Sequence, residues 1–138
     1  MAFLHWQAYM ATGNAKIDKE NGTVVALLNR LGADVVTSRW DHARILNDRL
    51  RFEVHAHFSD EETLMRALRY PHLAPHRQAH DGIRASLARV DGLLGDPAAT
   101  CRAHEAVALL VARFDRDFFE ADRRLAGYIR RDPLGSGA

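Results

Sequence analysis

The sequence predicts an all-α fold, an up-down-up-down four-helix bundle entered by an extended N-terminal arm. Three observations predict it. Apolar residues recur at intervals of three, four and seven along four successive stretches, which is the period of a helix with one buried face. The stretches are long, and the breaks between them are short and marked by Ser, Pro or Gly. Long helices with short connections lie antiparallel to their sequence neighbours. The bundle is expected over residues 1–131, with residues 132–138, DPLGSGA, as a flexible tail.

The arm carries Trp6, Tyr9 and Met10 and ends in the turn signal Thr12-Gly13-Asn14, so its aromatic residues are expected to pack onto other elements. The first helix is expected over residues 18–37, with an inner stripe of Ile17, Val24, Leu28, Leu31 and Val35 on which Asn21 also falls. Gly22 follows Asn21, and Asn-Gly predicts a distorted first turn or a later start. The second helix, residues 38–69, takes Ser38 as its N-cap and stops at Pro71. Its stripe reads Leu46, Leu50, Val54, His57, Glu61, Leu64 and Leu68. The third begins at Pro71 or Pro75 and runs to residues 92–95, with His76, His80, Ile83, Leu87 and Val90 inward. The fourth opens at Asp96-Pro97, a cap followed by proline at the first helical position, and runs to residue 130. Its stripe is Val107, Leu110, Phe114, Phe118, Ala121, Leu125 and Tyr128, flanked by Asp117 and Asp122.

Composition excludes several classes of function. At 138 residues, 47% hydrophobic and 27% charged, the chain fits one ordinary globular domain with a single core. The net charge is +1, the only lysines are Lys16 and Lys19, and the arginines are spread along the chain, so no nucleic-acid partner is expected. The longest apolar run, residues 106–112, is too short for a bilayer, so no membrane partner is expected either. A lone Cys101, expected to be a small packing residue, forms no internal disulfide. With no signal-peptide pattern at the start, the expected location is the cytoplasm.

The chemistry concentrates in residues 57–80, HFSDEETLMRALRYPHLAPHRQAH. His57 and Glu61 are four apart, as are His76 and His80. Four residues advance a helix by about 400°, so each pair lies on one face about 6 Å apart. Asp122 falls beside the inner stripe of the fourth helix. A lone inward histidine is more often a hydrogen-bonded core residue than a ligand. Carboxylates and imidazoles converging from several helices cost several kcal/mol each if left unpaired in a dry core, about the scale at which a cation is called for. Metal ligation is therefore the favoured reading, and a metal-free buried network is the alternative. The donor set suits iron, manganese or zinc rather than magnesium or calcium. His5, His42, His55, His72 and His104 are expected at the surface. No Glu has a His three residues later, and no His-Glu-x-x-His occurs, so neither a ferritin-like di-iron site nor a zinc protease is indicated.

These residues resemble the bacterial hemerythrin-like domains over residues 6–129. Trp6, Tyr9, Gly13, Ile17 and Asp18 match the start of the family pattern. His57, Phe58, Glu61, Glu62 and Met65 match its His-Phe-x-x-Glu-Glu-x-x-Met, and Tyr70, Pro71, His76 and His80 its Tyr-Pro followed by His-x-x-x-His. Asp117, Phe118 and Asp122 align with its final His-Ile-x-x-x-Asp. The family holds two irons with five histidines and two bridging carboxylates. The resemblance implies that Glu61 and Asp122 are those carboxylates, and that Asn21 and Asp117 stand where two histidines are expected.

The implied function is that of a non-haem iron-binding protein with an altered site, mononuclear or asymmetric. Its metal ligands are drawn from His57, Glu61, His76, His80, Asp117 and Asp122, with one iron favoured over two. Its implied partner is a small diatomic or peroxide ligand, bound or sensed. Asp117 is five residues, or about 500° of helix, from Asp122, so direct ligation by it calls for a bulge in the helix. The alternative is a metal-free or weakly metallated scaffold or signalling module built on the same bundle. No separate acid–base pair marks an enzyme, so no catalytic residue is assigned and enzymatic turnover stays open.

Overall fold

A computed structural model describes residue 4 and residues 6–131, apart from the side chain of Tyr9. The tail expected at residues 132–138, the surface role expected of His5 and the packing expected of Tyr9 lie outside the described residues. The bundle is built from α1 (Ala15–Val36), α2 (Trp40–Ala67), α3 (Leu73–Leu94), and a fourth helix in three parts: α4 (Thr100–Arg113), a π-helical segment (Phe114–Phe118) and α5 (Phe119–Arg131). Each helix packs on the next, and α1 closes the ring against α4.

The arm is fixed by polar contacts at its turn. Gly13 takes φ 87°, a left-handed conformation that favours glycine. Asn14 caps α1 by accepting from the Ile17 amide at 3.0 Å. Asp18 accepts from the Thr12 amide and hydroxyl at 2.8 and 2.7 Å, and Arg130 donates to the Thr12 carbonyl from the other end of the chain. Met10 is buried, and Trp6 sets its edge on Phe119. Contrary to the Asn-Gly expectation, α1 runs through Gly22 without interruption. Among the described residues no atom outside the helix's own backbone lies within 4 Å of the position its Cβ would take, so the glycine costs propensity but breaks no packing.

Ser38 is not a cap. It adopts φ 58° just beyond α1, and the Arg39 amide donates back to Asp34 at 2.8 Å, closing α1 with a six-residue ring. Arg69 repeats the device after α2, with φ 52° and the Tyr70 amide donating to Met65 at 2.9 Å. Asp96 does cap, accepting from the Ala98 amide at 2.9 Å, but it caps a 3-10 turn over Pro97–Ala99 that leads into α4.

Among the described residues the core has two apolar clusters. The larger includes Leu28, Leu31, Leu50, Phe58, Leu110 and Phe114; the smaller joins Met65, Tyr70 and Leu125 near the other end. Leu64 is exposed, contrary to its place on the expected stripe, because the buried arc of α2 turns toward α3 and takes in Phe58, Glu62 and Met65. Cys101 is exposed rather than packed. On the fourth helix the π segment changes the register. Beyond it the buried residues are Phe119, Asp122, Leu125 and Ala126, while Ala121 and Tyr128 move to partial exposure.

Candidate metal centre

Between the two apolar clusters lies a group of buried polar side chains. Glu61 from α2, His76 and His80 from α3, and Asp122 from α5 each present one donor atom, all within 4.8 Å of one another. Each of the four is under 5% exposed. Glu61 Oε1 is the hub, 3.3 Å from His76 Nε2, 3.1 Å from His80 Nε2 and 3.3 Å from His57 Nε2. The Asp122 carboxylate faces His57 Nε2 at 3.1 Å through one oxygen and His76 Nε2 at 3.4 Å through the other. Four-residue spacing on α2 and α3 stacks each pair on one face, and the π segment turns Asp122 inward to meet them.

The electrostatics follow from the crowding. Burial opposes a charge on His57, but the hydrogen bond to Asp122 and the charges of Glu61 and Asp122 outweigh it, and its pKa is pushed up to about 9. For His76 burial is again the opposing effect, and Asp122 and Glu61 likewise push its pKa up to about 9. Burial works against the Asp122 carboxylate too, yet His57 and His76 hold it well below the usual carboxylate range. In the absence of a cation, these groups are imidazolium against carboxylate.

The polar satisfaction is incomplete. Among the described residues, Glu61 Oε2, Asn21 Oδ1 and His76 Nδ1 are buried without a hydrogen bond, and Asp122 Oδ1 has only the 3.4 Å approach of His76 Nε2. A buried carboxylate oxygen left without a donor, as Glu61 Oε2 is, costs about 1–3 kcal/mol or more, and a cation among oxygen and imidazole donors removes that cost. The residues present therefore fit a divalent transition metal.

Of the residues expected as ligands, His57, Glu61, His76, His80 and Asp122 lie together in the structure. His57 stands at the edge, against Glu61 and Asp122 and apart from the mutually close four. Asp117 is not gathered. A bulge is present at its position, but its carboxylate accepts from Arg116 Nε at 2.8 Å and Nη2 at 2.9 Å and is partly exposed. That hydrogen bond holds the Asp117 pKa below its ordinary value. Asn21 reaches the centre from α1 as a donor, its amide nitrogen 2.9 Å from Asp122 Oδ2. Without a cation the opposite amide orientation would set oxygen against oxygen; in this one Asn21 Oδ1 is buried with no hydrogen bond among the described residues.

Two supporting carboxylates have no role assigned from the sequence, where Glu62 enters only as part of the matched motif and Glu20 not at all. Glu62 accepts from His80 Nδ1 at 2.7 Å and from Arg84 at 2.8 Å, and Glu20 accepts from His57 Nδ1 at 2.9 Å. Each fixes a ring so that Nε2 points into the centre, the usual partner of a metal-binding histidine. The available signal was position: Glu62 follows Glu61, and Glu20 precedes Asn21. Phe58 stacks on the His80 ring at 3.7 Å and holds it from the side. A cavity of about 340 Å³ opens against His76, with Tyr70, Arg116 and Asp117 on its wall.

Residues 12–129 match the family model described as hemerythrin HHE cation binding domain. No curated protein and no solved structure matches the chain. Among the described residues no helix is long and apolar enough to cross a membrane.

Proposed function

The chain belongs to the hemerythrin HHE cation-binding family, and on that premise we propose that it is a non-haem iron-binding protein with one ion held by His76, His80, Glu61 and Asp122. The observation that carries this reading is Asn21. Its amide N–H and the His57 ring both engage Asp122 Oδ2, so the α1 side of the centre holds a neutral amide already committed to that carboxylate, and its remaining oxygen is a weaker donor to iron than the imidazole a second ion would call for. On the other side, the Arg116 pair keeps Asp117 off the ion, and its direct ligation would require that pair to open.

When bound, iron with two histidines, carboxylates and open positions supplies a place to bind or reduce dioxygen, peroxide or nitric oxide. The protein's residues do the rest. Glu62 orients His80, Glu20 orients His57, and Phe58 with the neighbouring apolar cluster keeps bulk water away. His57, protonated at neutral pH without a cation, can hold a proton at Nε2 beside Asp122. The cavity against His76 gives a small ligand a way in from the surface. Carriage, sensing and turnover share these features, and a cytoplasmic setting fits each of them.

A second reading, a metal-free scaffold, is favoured by one observation: two imidazolium groups can balance Glu61 and Asp122 without a cation. Thermal melting separates the two. Iron(II) added anaerobically is expected to raise the melting temperature of the native chain and not of His76→Ala, with magnesium inactive on both. No rise in the native chain would favour the scaffold.

A further inference from the structure

The outward face of α2 holds two large apolar side chains in water, Ile45 at 65% and Phe52 at 72% exposure. Seven residues apart, they lie on one stripe of the helix. Single exposed apolar residues are ordinary on protein surfaces, so what surrounds this pair decides its meaning. Measured from Ile45, Arg49 and Glu53 lie about 40° and 80° to one side, while Asp48 and His55 lie about 60° and 80° to the other. Ala56 is almost in line. On the Asp48 flank a groove of about 490 Å³ runs between α2 and α3, walled by Phe52, Val54, Leu87 and Arg84.

This face complements itself. When two copies of a helix pack antiparallel about a two-fold axis, residues on one flank meet the same flank of the other copy, and each contact occurs twice. With the axis beside residue 51, Arg49 meets Glu53 of the second copy, Asp48 meets His55, and Ile45 meets Ala56. The two Phe52 rings meet at the axis, over the paired grooves. Arg49 and Glu53 already pair within the helix at 3.5 Å, so the packing joins two such pairs into one four-charge network. An axis beside residue 48 would instead set Asp48 against its own copy, so charge selects the register.

We infer that the outward face of α2 is a homodimer interface, with a second copy of this chain packed antiparallel across Ile45, Arg49, Phe52 and Ala56. The apolar area is small, so the association is weak and depends on concentration. The interface is independent of the metal centre, which lies on the inner face of the same helix.

Sedimentation velocity on the native chain over about two decades of concentration tests it. The mass is expected to rise from one chain toward two as concentration increases. Phe52→Glu and Ile45→Glu should each abolish the rise, with helical circular dichroism unchanged because both positions are in solvent. Leu109→Glu, at an exposed apolar position on α4, should leave it intact. Arg49→Glu should weaken association, and the double variant R49E/E53R should restore it. A native chain that stays monomeric throughout overturns the inference. So does a Phe52→Glu chain that associates like the native one, or equal loss in Leu109→Glu.

Discussion

Raising the pH of the metal-free protein from about 6.5 to 10 strips protons from imidazoles that the fold needs charged. His57 and His76 each rise from the ordinary 6.5 to about 9, which corresponds to about 3 kcal/mol for one group. The two share Glu61 and Asp122, so their contributions do not add, and about 3 kcal/mol is the expected total. A raised folded-state pKa gives stability that is present in full below 6.5 and lost as pH climbs through 9. Asp122, held low, has the opposite sense, and its contribution is lost only on acidification. At about 3 °C per kcal/mol, the melting temperature should fall by about 10 °C across the alkaline window. Circular dichroism melts in chelator, at close pH steps, measure it. Iron(II) should reverse the trend, because His76 must lose its proton to ligate and metal affinity therefore grows with pH. A melting temperature flat from neutral to alkaline pH in chelator would refute the imidazolium–carboxylate core.

Three substitutions probe the separate parts of the centre. Asn21→His replaces the donor to Asp122 with a second-site ligand and should raise iron capacity above one per chain, at a packing cost of about 1–3 kcal/mol at this buried position; titration by elemental analysis reads it. Glu62→Ala removes the partner of His80 Nδ1 and should weaken iron binding by about 10- to 100-fold, read by competition with a chelator. Asp117→Ala should leave iron content unchanged, because Arg116 holds that carboxylate; loss of the ion would instead mean that the pair opens and Asp117 ligates.

Much of this centre is legible in the sequence because helical period is a strong signal. The four-residue spacing of His57 with Glu61 and of His76 with His80 places each pair on one face, and the structure brings the pairs together. The misplaced residues have tertiary causes. Leu64 is exposed because the lower part of α2 turns its buried arc toward α3, where Glu62 meets His80. Nothing local in FDRDF announces a π turn; it arises where Phe114, Phe118 and Phe119 all bury their rings, and it carries Asp122 inward. Ser38, a strong capping type, is overridden by the ring that closes α1. Glu20 and Glu62 escape a reading of inner stripes because they act through the far nitrogen of a histidine, one layer out from the centre.

The central claim is a single iron, and counting it is the direct test. After anaerobic loading with iron(II) and removal of excess, elemental analysis against protein concentration should give one iron per chain. Two per chain would contradict the single-ion centre, and none would contradict metal binding by these residues altogether.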